Sequence, residues 1–173
     1  MARSSKRAED TVKLIIIRHA IAVARGTPDV PDDERPLTEK GKRRFQDVAR
    51  GLALICARPD VLLTSPLPRA AATAEIAAEA WGRVSPTSEP TLAHGTPDEI
   101  LAVLGRYASD QKIAIVGHEP TLSALVARLL GSAAGGRFTL RKGGVAHLDV
   151  PGPLAKGGRL EWFMRPKILR QLG

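Results

Sequence analysis

A chain of 173 residues, 43% of them hydrophobic, is long enough to bury one ordinary core and gives no reason to expect a second. Aromatics make up only 3%, so Leu, Ile, Val and Ala must fill that core, a composition suited to helices packed on a sheet. The single cysteine excludes an intrachain disulfide, and the net charge of +8 favours anionic partners while leaving few aromatics to stack on bases.

Met1 to Asp10 carries basic residues with no apolar run behind them, and the run Leu14 to Ile17 is too short for a signal peptide or a membrane span. We therefore expect a tail over residues 1–10, a single domain over 11–173, no membrane association and a cytoplasmic setting. Val12 to Ile17 is apolar and β-branched and predicts a strand buried on both faces. Ala20 to Pro36, rich in Pro, Asp and Gly, reads as a loop. Thr38 caps a helix running to about Ala57, with Phe45, Val48, Ala49 and Leu52 on one stripe. Its run Lys40, Lys42, Arg43 and Arg44 is read as a solvated face. Cys56, in an apolar stretch, reads as a buried side chain with no basic neighbour to activate it.

Val61 to Thr64 predicts a second strand, Ser65 to Pro68 a break, and Arg69 to Trp81 an Ala-rich helix. Arg83 to Leu92 is expected to be extended. Thr96 caps a helix with Pro97 at its first position, running to about Tyr107. Lys112 to Val116 is another buried strand, Gly117 to Pro120 a turn, and Thr121 to Leu130 a helix ended by Gly131. Three more strands are expected over Arg137 to Arg141, Val145 to Val150 and Leu160 to Phe163, with a short basic helix near Lys167 to Leu172.

Strands alternating with helices argue for an α/β layered fold around a mostly parallel central sheet, with the late strands as an antiparallel edge. In such sheets ligands bind beyond the carboxyl ends of the strands. There the sequence puts Arg18 and His19 after the first strand, Thr64 and Ser65 after the second with Arg69 just beyond, and Gly117 and His118 after the fourth. Two arginines and two histidines converging on one edge suit a dianionic phosphoryl group. Arginine clasps phosphate oxygens with paired donors, and a neutral imidazole can accept the phosphoryl group. Arg69 at a helix start, where a cation is unfavourable, points to an anion nearby. His94 is expected in solvent and His147 as a structural residue of an alternating strand. No metal site is expected, since no two histidines have short ligand spacing and no second cysteine exists.

These segments resemble the signatures of the histidine phosphatase superfamily, which includes the phosphoglycerate mutases. Leu14 to Ala20 (LIIIRHA) resembles its Arg-His-Gly element, Arg35 to Gly41 (RPLTEKG) the segment that follows in short members, Thr64 to Ala70 (TSPLPRA) its Ser-Pro-Leu-x-Arg-Ala element, and Val116 to His118 its second histidine. Length and spacing are most similar to SixA-type phosphohistidine phosphatases. The resemblance implies a three-layer, phosphoglycerate mutase-like sandwich. It implies His19 as nucleophile, Arg18 and Arg69 on the phosphoryl oxygens, and His118, with Ser65, completing the phosphate pocket. It implies no metal or organic cofactor, and a phosphorylated protein as partner rather than nucleic acid. Ala20 stands where the family has glycine. No acidic proton donor stands out: Asp98, Glu99 and Glu119 each read as helix N-terminal acids.

Other readings stay open from sequence alone: a small-molecule phosphomonoesterase of the same chemistry, or a phosphate- or protein-binding module without catalysis. The basic stretch Arg159 to Arg170 suits either an acidic partner or a covered sheet edge, and nothing in the pattern fixes an oligomeric state.

Overall fold

The computed structural model describes residues 11–107, 110–132 and 138–173. The expected tail, residues 1–10, lies outside them. Eight residues rich in Val and Ile form β1 (Thr11–Arg18), which is followed by a loop holding one 3-10 turn, Asp32–Glu34. Then come α1 (Glu39–Ile55), β2 (Val61–Thr64), α2 (Pro68–Ala80), β3 (Pro86–Ser88), a single helical turn α3 (Thr91–His94) and α4 (Pro97–Leu104). After β4 (Lys112–Gly117) and α5 (Thr121–Leu129), the chain closes with β5 (Val145–Pro151), β6 (Arg159–Met164) and α6 (Pro166–Leu172).

The six strands form one sheet in the order β3-β2-β4-β1-β5-β6. The first four run parallel, and β5 and β6 add an antiparallel edge. Alternation along β1 builds a core on each face. Ile15 and Ile17 pack with Phe45 and Leu52 of α1, Ala70 and Ala77 of α2, and Leu169 of α6. Leu14 and Ile16 pack with Ile100 and Leu104 of α4 and Leu122 and Leu125 of α5. The expected three layers are therefore present, and both central parallel strands are apolar on both sides because both sides are covered. Among the described residues no helix is long and apolar enough to cross a membrane.

Caps form where sequence predicted them. Thr38 Oγ1 accepts the Gly41 amide, and Thr96 with Glu99 makes a reciprocal capping box. Two expectations need correction. Arg83 to Leu92 is extended only at β3, before α3 turns it, because Glu89 caps that turn by accepting from the Thr91 amide and hydroxyl. The strand expected over Arg137 to Arg141 does not form over its described residues, 138–141. The Leu140 amide donates to Glu119 and its carbonyl accepts from Arg18, so side chains occupy the groups a ladder would need.

Candidate active site

Strand register brings the site together. Arg18 lies level with Gly117, and Thr64 with Val116. The His19 amide donates to the Gly117 carbonyl at 3.1 Å, and the Ser65 amide to the Val116 carbonyl at 3.0 Å. His19, Ser65 and His118 therefore leave the sheet along one edge, and the first turn of α2 brings Arg69 to it.

His19 is buried, and its Nδ1 lies 2.7 Å from the Ala20 carbonyl. A carbonyl only accepts, so Nδ1 carries the proton and the lone pair sits on Nε2. Burial is the main force that pulls its pKa from 6.5 to about 3; the charges of His118, Arg69 and Arg18 act the same way, against the Ala20 bond. The ring of His118 stands 5.1 Å away, centre to centre. Burial, then Arg69, lowers its pKa to about 4. Its Nε2 is 2.8 Å from Ser65 Oγ, while Nδ1 is buried with no hydrogen-bond partner among the described residues. Ser65 Oγ also accepts the Leu67 amide. A hydroxyl both donates and accepts, so Ser65 serves either tautomer of His118. Ser65, expected among the phosphate-binding residues, is fully buried, and its hydroxyl holds that ring.

Each arginine spends one amino group on a backbone carbonyl. Arg18 Nη1 donates to Leu140 O at 2.6 Å, and Arg69 Nη1 to Asp32 O at 2.7 Å. Among the described residues the buried Nε atoms of both have no hydrogen-bond partner. Burial lowers both pKa values, yet two pinned guanidinium groups stay charged at neutral pH. Asp32 lies 3.9 Å from Arg69 Nη2 and the charge of Glu119 reaches Arg18, yet the buried donors left over suit an anion rich in oxygen.

Several supporting residues were not legible as functional. Thr73 Oγ1 accepts the Ala20 amide at 3.0 Å and donates to the Arg69 carbonyl at 2.6 Å, locking the residue after His19 to the turn that carries Arg69. Glu119 accepts from the Leu140 amide and the Ser123 hydroxyl, so it anchors the carbonyl that positions Arg18. At the mouth, Asp32 pairs with Arg25 and Arg35, and Asp33 stands 3.6 Å from His94, which is exposed as expected. A signal for that turn existed in the acids 32–34 flanked by Arg25 and Arg35, inside a segment read only as loop.

The weak proton-donor candidates have other duties. Glu99 returns to Thr96, Asp98 pairs with Arg128 at 3.1 Å, and Glu119 is the anchor just described. His147 packs against Trp162, and burial pushes the Cys56 thiol up to about 11, an inert group. Among the described residues no group of three or more His, Cys, Asp and Glu side chains is placed to hold a metal ion.

A family model described as histidine phosphatase superfamily (branch 1) matches residues 6–94. An uncharacterized protein of Picosynechococcus is 36% identical over 140 residues, covering 79% of this chain and 84% of that one. Among solved structures, a candidate phosphohistidine phosphatase SixA of Nakamurella multipartitia superposes with a TM-score of 0.76 at 27% identity, covering 90% of this chain and 96% of that one. The protein histidine phosphatase SixA in complex with tungstate gives 0.78 at 24% identity, covering 91% and 99%. A candidate α-ribazole-5'-P phosphatase of Escherichia coli gives 0.73 at 19%, covering 90% and 97%. The last two likenesses speak for the fold alone.

Proposed function

The chain belongs to the histidine phosphatase superfamily, branch 1, and on that footing we propose that it is a phosphatase that passes a phosphoryl group through His19 to water, with phosphohistidine in a partner protein as its substrate. Membership and the SixA-like neighbours support phosphatase activity. The observation that carries the mechanism is the place of one lone pair. Ala20 O holds the Nδ1 proton of a neutral imidazole, which leaves the lone pair on Nε2 of a buried ring that feels the charges of Arg69 and Arg18.

In the first step the Nε2 lone pair of His19 attacks phosphorus as the bond to the leaving group breaks. The leaving atom keeps that electron pair and takes a proton from solvent. In the second step water attacks the phosphoryl-His19, the P–N pair returns to Nε2, and the water's proton is released. Arg18 and Arg69 hold the equatorial oxygens and protonated His118 donates to them, which is electrostatic stabilisation with little reorganisation. A bound dianion favours the charged form of His118, so the ring gains a proton when the charge it stabilises arrives.

Phosphohistidine as substrate is supported by the carboxylates around the site. Those of Asp32, Glu89, Glu99 and Glu119 all have hydrogen-bond partners of their own, and an imidazole leaving group needs less proton assistance than an alkoxide. The test compares kcat/KM for a phosphohistidine protein with that for small phosphomonoesters. The protein substrate should be preferred, His19→Ala should abolish turnover of both, and Arg69→Ala should cost on the order of 3 kcal/mol in transition-state stabilisation. Faster turnover of the small esters would move the substrate class to small molecules, and full activity of His19→Ala would overturn the mechanism.

A further inference from the structure

On the face covered by α1 and α6, next to the catalytic edge, lies a concavity of about 110 Å³. Its walls include Ile21, Phe45, Val48 and Pro166, and its rim carries Arg44, Lys142, Lys167 and Arg170. Among the described residues no carboxylate lines it. The acids of α1 that could answer these charges are taken, Glu39 by Lys42 and Asp47 by Arg50. Arg170 Nε is buried with no hydrogen-bond partner among the described residues. Lys142 feels burial, Arg18 and Arg35, all of which lower its pKa, and no carboxylate opposes them. Like charges gathered on one rim repel, so the folded chain bears a cost there that an anionic partner would relieve.

The concavity shares a wall with the phosphate cluster. Ala20 lines it and directly follows His19. Gly143 lines it too, and its amide donates to the carbonyls of Arg18 and His19, each at 3.1 Å. Size selects the occupant. A drug-sized ligand needs roughly 300–1,000 Å³. The volume here, 110 Å³, falls well below that range and suits a single apolar side chain. A nucleic acid would want stacking aromatics, and Phe45, the aromatic in this lining, is itself a buried core residue.

We propose that this concavity is a docking subsite for the phosphorylated protein, taking one apolar side chain in its floor and the acidic residues around that side chain on the rim of Arg44, Lys142, Lys167 and Arg170. The subsite rests on the phosphatase reading above and names the kind of sequence that reading should favour. Charge complementarity of this sort acts on recognition and not on the chemical step, so it belongs to KM and to salt dependence.

The test uses two phosphohistidine peptides of equal length, one with Leu and Glu flanks and one with Gly and Lys flanks, together with p-nitrophenyl phosphate. Wild type is compared with an Arg44→Glu/Lys167→Glu double variant; both side chains are exposed and outside the catalytic cluster. Wild type should prefer the acidic peptide by roughly tenfold in kcat/KM, and the double variant should erase that preference through KM. Turnover of p-nitrophenyl phosphate should stay within about twofold, which also reports that the variant folds. Dye-labelled, unphosphorylated copies of both peptides read the subsite without turnover, and the acidic one should bind more tightly to wild type only. Equal binding of the two peptides, a preference that survives in the variant, or stronger binding of a DNA duplex than of the acidic peptide would overturn the subsite. Absence of turnover with every substrate, with acidic-peptide binding intact, would instead overturn the phosphatase reading and leave the subsite supported.

Discussion

The proton on His19 Nδ1 is held by a carbonyl one residue away, and burial keeps a second proton off the ring. That state has a measurable consequence. In an NMR titration of the free protein, the His19 and His118 rings should not titrate between pH 8 and pH 5, since their pKa values lie at about 3 and about 4. A midpoint near the ordinary 6.5 for either ring would contradict the buried, neutral pair. The sign for stability follows. Above pH 6.5 the rings are neutral in both folded and unfolded chains; below it only the unfolded chain takes up protons, so the rings oppose folding increasingly as pH falls toward 4. At this scale the convergence of Arg18, His19, Arg69 and His118 was legible because each sits at the end of a strong strand signal or the start of a helix at a predictable edge. Thr73 and Leu140 were not, because their contribution is one hydroxyl and one carbonyl whose place depends on segments 53 and 122 residues away in sequence.

Helix positions depend on close approaches that only small residues permit. At Gly51 a Cβ would stand 1.9 Å from the Leu169 carbonyl, where α1 and α6 pack. Gly51→Ala should therefore force the backbones apart and destabilise the protein by about 1–3 kcal/mol in urea denaturation. Gly105→Ala, where the nearest atom is 3.4 Å away and the backbone is already helical, should change stability by less than about 1 kcal/mol. Equal effects from the two substitutions would contradict this picture of the α1–α6 crossing. Elements with their own caps and period, such as α1 and α4, were readable to within a few residues. The segment 138–141 was not, because its alternation of apolar and polar residues mimics a strand while Glu119 and Arg18 claim the backbone of Leu140. The loop over residues 20–36 was readable as a loop, but not as the support for Arg69, which needs the Asp32 carbonyl in three dimensions.

Across the whole molecule, a parallel sheet buried on both faces collects the carboxyl ends of β1, β2 and β4 at one edge, and the candidate site lies where they stop. The layered fold was predictable from the alternation of buried strands and amphipathic helices, and so was the edge that carries the site. Strand order was not, because nothing local in β4 says that it inserts between β1 and β2. The basic face formed by α1 and α6 was visible only as scattered charges until those helices packed side by side. What the fold brings together is two imidazoles and two guanidinium groups, the set that the proposed phosphoryl transfer requires around one tetrahedral anion. Rapid mixing with a radiolabelled phosphohistidine protein, an alkaline quench within milliseconds and peptide mapping measures this directly. One acid-labile, base-stable phosphate should be found on His19 and none in His19→Ala, whereas steady turnover with no label on His19 would contradict the account.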